Sequence, residues 1–342
     1  MSNTSFKIVD QNGIDRDQWH QFVQENPHGT VFHTPEMFAA FETTIGHQPL
    51  VFAALDEDGA MQALITPVIV SLKEGLLKSL STRAVHYGGM VYEDTDKGVQ
   101  ALEALLEHAR PALASDALYS ETRNLTDVDR IRTVFQKLHF RREPHLNYWI
   151  RLDRSYDEIM KGVKSSARGA MRRSGKRGAQ FLIVEDVSGF DDWYNLVELT
   201  YTHKKMPLAD RSLFESIFRI VRPAGLANFF AVKAEDRLIG AYLMMLFKDV
   251  IYFWYSADDY HMRQYYPTDG FVNHIIQWGI EHQYRILDFG WAGREDEPYG
   301  VRAFKAKFGG DEIRFGRHIQ TYKPLLLAFS KAGLFFYKKI MG

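Results

Sequence analysis

Two tandem α+β domains, each a mixed and largely antiparallel sheet flanked by helices, are the architecture expected of this chain. Its 342 residues, set against the roughly 150 of a typical domain, leave room for two. Apolar residues make up 46% and aromatic residues 14%, which is material for two hydrophobic cores. The third observation is a weak internal echo. Val51 to Val70 and Phe229 to Lys248 align without gaps, with Phe52-Ala53 over Phe230-Ala231, Glu57-Asp58 over Glu235-Asp236 and Ala63 over Ala241. Each copy reads as strand, charged turn, strand, the pattern of a hairpin.

The elements around the echo repeat in kind. A helix over Pro35 to Thr44 precedes the first hairpin; a strand ending near Tyr92 and a helix over Lys97 to Ala114 follow it. In the second half, helices over Asp191 to His203 and Ser212 to Val221 come before the hairpin. The strand Val250 to Ser256, the helix Asp269 to His282 and the strand Arg285 to Phe289 come after it. Strands grouped between helices indicate α+β units rather than a strictly alternating doubly wound sheet. The strand Asn147 to Leu152 is expected to close the first unit and Ser155 to start a helix, so the expected domains are residues 1–152 and 153–342. No Pro/Gly/Ser-rich linker separates them.

Lys plus Arg number 42 against 43 Asp plus Glu, a net charge of −1, which argues against a surface devoted wholly to nucleic acid or anionic membrane. The chain has no cysteine, so disulfides, thiol nucleophiles and Cys-ligated metals are excluded. No signal-like or membrane-spanning apolar run is visible, and cytoplasmic residence is the expectation. Near-neutrality is an average, however. Between Lys161 and Gln180 stand seven basic residues and no acid. At about 3.6 residues per turn, Lys161, Lys164, Arg168 and Arg172 make one stripe of a basic helix over 161–177, and an anionic partner would relieve their repulsion. Arg173, Lys176 and Arg177 extend the cationic surface where glycines loosen the helix. The competing reading is a solvated face balanced by Glu185-Asp186 or by Asp153, Asp157 and Glu158.

Near the end, Asp288-Phe289-Gly290 is followed, after a polar loop, by Gly300-Val301-Arg302-Ala303-Phe304-Lys305-Ala306-Lys307-Phe308-Gly309-Gly310. With Tyr87-Gly88-Gly89-Met90-Val91 and the basic segment running into Gly178-Ala179-Gln180-Phe181, this pattern resembles the FemAB family and its FemAB-like acetyltransferase relatives in the GNAT superfamily, over almost the full length. The resemblance implies two tandem GNAT-like domains and acyl transfer to an amine, with a cell-envelope precursor such as a peptidoglycan or polysaccharide intermediate as acceptor. Bridge-forming members take aminoacyl-tRNA as donor, and staphylococcal ones carry a coiled-coil insertion that this chain lacks. After the strand Val250 to Ser256, only Gly270 remains of the Gly-rich turn with which ordinary GNAT domains hold the CoA diphosphate at a helix N-terminus. The donor therefore stays open among acyl-CoA, an acyl carrier thioester and aminoacyl-tRNA, with no permanently bound cofactor.

Amine acylation needs positioning and a stabilised oxyanion. Lys305 and Asp288 are the catalytic candidates. The ammonium would hold a donor phosphate or polarise a carbonyl, and the carboxylate would act as base or orient the acceptor. Lys164, Arg168, Arg172, Arg173 and Arg302 are the anion-binding candidates, and Tyr255 and Tyr266 would line an acyl or sugar channel. No histidine has metal-ligand spacing, so no metal is expected. The tail, with Lys323, Lys331, Lys338 and Lys339 and no acid after Pro324, is expected to form a helix over 324–341. That helix either lies on a membrane, where a lipid-linked acceptor would be met, or packs on the protein through Leu326, Phe329 and Phe336. Two other functional classes fit the same residues: an inert GNAT-like protein binding RNA or another anionic polymer, and an acetyltransferase for a small amino sugar.

Overall fold

The computed structural model describes residues 5–71, 80–330 and 332. Two compact units result, one comprising the chain up to Pro144 together with everything from Phe315 onward, the other His145–Arg314. In the first unit, β1 (Lys7–Asp10), α1 (Arg16–Glu25), α2 (Pro35–Glu42) and β2 (His47–Pro49) lead into β3 (Phe52–Leu55) and β4 (Met61–Ile65). β5 (Val68–Val70), β6 (Arg83–Gly88), β7 (Val91–Tyr92), α3 (Asp96–Asp116), β8 (Tyr119–Asn124), α4 (Arg132–Lys137) and β9 (Arg141–Glu143) complete that stretch. The second unit holds β10 (His145–Arg151), α5 (Tyr156–Gly162), α6 (Ser165–Lys176), β11 (Gln180–Ile183), α7 (Val187–His203) and α8 (Arg211–Ser216). It continues with β12 (Ala227–Ala234), β13 (Arg237–Phe247), β14 (Val250–Asp258), α9 (Pro267–Glu281), β15 (Ile286–Arg294), α10 (Gly300–Lys305) and β16 (Asp311–Ile313). The last strand, β17 (Arg317–Thr321), returns to the first unit.

Helix starts follow local chemistry. Thr34 caps α2 ahead of Pro35, Thr95 caps α3, Asp186 caps α7, and Ser155 with Glu158 forms a reciprocal capping box on α5. The sheets are mixed and mainly antiparallel, in the orders β1-β3-β4-β7 and β2-β5-β6-β8-β17-β9 in the first unit and β11-β12-β13-β14-β15-β10-β16 in the second. In the first unit α3 and α4 cover a core that includes Leu102, Leu105, Leu113 and Phe135. In the second, Phe230, Tyr242, Phe271, Ile275, Phe289 and Phe308 join one core on the α9 side of the sheet.

The expected boundary at 152/153 is wrong at both ends of the second unit. The strand meant to close the first unit instead pairs with β15 and β16. The segment after Arg314 belongs with the first unit because β17 pairs with β8 and β9, and Arg317 reaches the buried Glu121 carboxylate. Arg83 and Arg123 also face Glu121, and the three cations hold its pKa down at about 2 against the cost of burial.

Both echo hairpins form, but not in the same register. Ala54 faces Ala63 in one, and Ala231 faces Ala241 in the other. The turns differ: Glu235 and Asp236 both adopt positive φ in a tight two-residue turn, whereas the first hairpin closes from Asp56 to Ala60 through Gly59. The expected basic helix over 161–177 is broken between α5 and α6, with Val163 and Lys164 extended. Of the expected C-terminal helix over 324–341, residues 324–330 are helical and leave Leu325 78% and Phe329 73% exposed. Residue 332 is helical too, while the expected packing of Phe336 and the expected helix over 333–341 lie outside the described residues. Among the described residues no helix is long and apolar enough to cross a membrane, and no group of three His, Asp or Glu side chains is placed to hold a metal.

Candidate functional site: a fork between two parallel strands

β14 and β15 are each nine residues long, yet they pair in parallel only from Val250–Ile286 to Tyr252–Asp288. Beyond that point the ladder ends, and a Cβ on Gly290 would still lie 3.0 Å from the Phe253 carbonyl oxygen. The next donor on β15, the N–H of Gly290, is diverted to the Asp288 carboxylate at 2.7 Å, and Gly290 itself takes φ 70°. On β14 a bulge at Trp254 puts Phe253 opposite Met244 and Tyr255 opposite Leu243. Where a ladder ends, backbone groups are left without a ladder partner, ready for a linear ligand or a side chain. The corresponding pair in the first unit, β6 and β8, stays zipped from Ala84–Ser120 to Gly88–Asn124. The fork is a property of the second unit.

Lys305 occupies it. Its ammonium donates to the carbonyls of Phe289 and, at 2.7 Å, Trp291. The motif builds this placement residue by residue. Phe304 packs edge-on against Phe308, and Phe308 stacks on Phe289, so α10 is pinned to β15. Lys307 reaches across to Asp269 at 3.5 Å, while its carbonyl accepts the N–H of Lys164 at 2.8 Å. Gly309 and Gly310 take positive φ where the chain passes the backbones of Gly162 and Trp149. Burial pushes the Lys305 pKa down to about 8, with the Asp288 charge opposing the shift.

Asp288 is only 1% exposed. Both of its oxygens accept from Asn147 Nδ2 at 3.2 Å and one also from Gly290 N, so its acceptor capacity is already engaged. Burial raises its pKa, against the pull of Gly290, Trp149, Asn147 and the Lys305 charge. The geometry makes it a shaper of the fork.

A second acidic site, not foreseen from sequence, lies at the N-terminus of α9. Asp258 accepts from the Tyr242 hydroxyl at 2.5 Å and from Thr268 Oγ1, and Asp269 sits in the first turn of the helix. Burial raises both carboxyl pKa values; the Asp269 charge adds to the rise at Asp258, while Lys307 and Arg173 oppose it at Asp269. Pro267 at the first position supplies no N–H. This helix end therefore already holds the protein's own carboxylates where an incoming diphosphate would need positive potential. The only sequence signal was the acid pair Asp258-Asp259 and the Thr268-Asp269 step.

The remaining expected residues separate by role. Among the described residues none of the seven cations between Lys161 and Arg177 has a carboxylate within ion-pair distance, so the acidic partners of the competing reading are not there. Lys164, Arg172 and Arg173 are exposed. Arg168 is turned inward and donates to the carbonyls of Met160 and Val163, capping α5. Arg173 lies 4.5 Å and Arg177 5.5 Å from the ring centre of Tyr266, which starts α9 in a left-handed conformation. Arg302 is a correction: its guanidinium donates to the carbonyls of Ala292, Arg294, Glu295 and Glu297 and braces that loop. Tyr255 and Tyr266 do not share a channel. Tyr255 packs on Tyr201 of α7 and Phe214 of α8, while Phe253, beyond the bulge, faces Phe271 of α9.

Residues 161–300 match the family model of an acetyltransferase (GNAT) domain. No curated protein matches the chain. Among solved structures, FemX is similar over 95% of this chain and 100% of its own, at 16% identity and a TM-score of 0.73. The C-terminal domain of a putative lysylphosphatidylglycerol synthetase from Agrobacterium fabrum covers 93% of this chain and 95% of its own, at 14% identity and 0.61. A tandem GNAT protein from the clavulanic acid biosynthesis pathway covers 93% and 99%, at 12% identity and 0.58. The chain thus has a FemAB-like tandem GNAT fold.

Proposed function

For a chain with this tandem GNAT fold, we propose N-acyl transfer: an acyl or aminoacyl group is moved from an activated ester or thioester to an amine on a cell-envelope precursor. The observation that carries the reading is the Lys305 ammonium in the β14–β15 fork, donating to the Phe289 and Trp291 carbonyls. An extended acyl donor entering the fork meets a half-buried cation at the position where its carbonyl would develop negative charge. The neutral amine attacks the carbonyl carbon, the new C–N bond forms, and the oxyanion accepts from Lys305. On collapse the C–O or C–S bond to the donor breaks and the leaving group takes up the proton lost by the amine. Asp288 positions Gly290 and, as a nearby anion, keeps Lys305 more protonated than burial alone would allow.

The donor we favour is polyanionic and docks on the exposed cations of α6, as aminoacyl-tRNA would. The carboxylates Asp258 and Asp269 at the start of α9 weigh against a CoA diphosphate held there. Similarity in fold to FemX and to a lysylphosphatidylglycerol synthetase domain supports an envelope acceptor, including a lipid-linked one met at the membrane surface. The test is a donor panel of acetyl-CoA, an acyl carrier protein thioester and charged tRNA, each with amine-bearing envelope precursors, read by mass spectrometry of the acceptor. A single acylated product with charged tRNA is expected. Salt-sensitive RNA binding with no product from any donor would instead identify an inert binding protein, and a product from acetyl-CoA alone an amino-sugar acetyltransferase.

A further inference from the structure

On the β15 arm of the fork, Trp291 is a large apolar residue left 44% exposed, and its carbonyl accepts from Lys305 at 2.7 Å. The ring is held in place. Its Nε1 donates to His145 Nδ1 at 2.8 Å, and the Tyr299 ring lies beside it with centroids 5.2 Å apart. Tyr299 reaches that position because residue 293 is glycine: at its φ of 85°, a Cβ would lie 2.6 Å from the tyrosine ring. A glycine seat, a hydrogen-bonded indole and an adjoining phenol make a fixed, solvent-facing aromatic surface.

The charge around this surface is unlike that of α6. Arg294 is matched by Asp296 at 2.9 Å and Glu297 at 3.4 Å, and Arg314 by Glu295 and Glu312. Two arginines against four carboxylates make a rim that offers hydrogen-bond donors and acceptors and an excess of negative charge, which disfavours phosphates. A flat aromatic face with such a rim suits an uncharged ring that presents C–H groups on one face and hydroxyls around its edge. We propose that Trp291, flanked by His145 and Tyr299, is the stacking platform for a pyranose ring of the acceptor, placing the sugar outside the fork and its amine toward Lys305. The assignment of that sugar to the acceptor rests on the acyl-transfer reading; the binding of a pyranose does not.

The experiment uses full-length protein labelled with 5-fluorotryptophan, with the Trp291 fluorine resonance assigned by its loss in Trp291→Phe. Titration with a β-1,4-linked N-acetylglucosamine trisaccharide is expected to shift that resonance saturably, and titration with adenosine monophosphate to leave it in place. By calorimetry, Trp291→Ala is expected to weaken trisaccharide binding about tenfold, while Trp291→Phe, which keeps a ring, stays within about threefold of the parent. A resonance that ignores the trisaccharide, or that moves only with the nucleotide, overturns the proposal. Because the readout is binding, a saccharide-dependent shift in a protein that acylates nothing supports the platform and removes only the acyl-transfer reading.

Discussion

Lys305 Nζ lies 2.7 Å from the carbonyl oxygen of Trp291, and that bond sets the ammonium at the point where the β14–β15 ladder ends. Its pKa, pushed down to about 8 by burial, gives the proposed chemistry a pH signature. The protonated form is the oxyanion donor, so kcat is expected to fall with rising pH above about 8, by about tenfold per unit, beyond an acid limb set by deprotonation of the acceptor amine. Lys305→Ala is expected to lose about 10²–10³ in kcat, the usual loss when one oxyanion donor is removed. In Lys305→Arg the alkaline limb should disappear, since a guanidinium stays charged there. An unchanged limb in the arginine variant would assign it to another group.

The glycines of the motif lead to a prediction about stability. At Gly310, with φ 94°, a Cβ would stand 2.5 Å from the Trp149 carbonyl oxygen, which is backbone and has little room to yield. Gly310→Ala is expected to destabilise the second unit by about 1–3 kcal/mol, measured as the shift in urea midpoint at unchanged slope. Gly300→Ala is the control, because its Cβ would meet nothing within 4 Å.

Most elements of this fold were legible because their signals are local. The Ser155–Glu158 capping box, the Thr34-Pro35 start of α2 and the apolar pattern of α9 each require only neighbouring residues. The domain boundary was not, because nothing local in His145–Arg151 or Arg317–Thr321 says which sheet will accept the strand. The same limit applied to side chains. Lys305 stood out through its motif, but nothing in the order of residues separates Arg168, which turns in to cap α5, from Arg172 one turn later, which stays in solvent. Arg302 looked like an anion ligand for the same reason: its four carbonyl partners come together only when the 292–297 loop folds over it.

Acid sensitivity should arise in the first unit. His86 and His318 are buried, and burial pushes their pKa values down to about 3 and about 4. His86 bonds Ser120 through Nε2, and the His318 ring stacks 4.2 Å from that of Phe135. Both stay neutral in the folded protein at a pH where the unfolded chain, with the ordinary value of 6.5, has taken up protons. Their contribution is therefore complete above pH 6.5 and is lost as pH falls toward 4 and 3, at about 1.4 kcal/mol per pH unit for each ring. Urea midpoints measured from pH 7 to 4 should decline accordingly, and the decline should be shallower in His86→Leu. Parallel curves for the two proteins would show that His86 is not a source of the acid lability.

Two arginines on one helix should behave oppositely. Arg168 donates to the carbonyls of Met160 and Val163, so Arg168→Ala frees acceptors at the C-terminal end of α5 and is expected to cost about 1–2 kcal/mol of stability. Its effect on polyanion affinity should be small, because the guanidinium faces the protein. Arg172 is exposed, so Arg172→Ala should leave the urea midpoint within about 0.5 kcal/mol of the parent. If α6 is the polyanion surface, the same change lowers the slope of log affinity for tRNA against log salt by about one unit. Equal slopes for the parent and Arg172→Ala, at equal stability, would move the polyanion site away from α6 and leave the fork without its favoured donor.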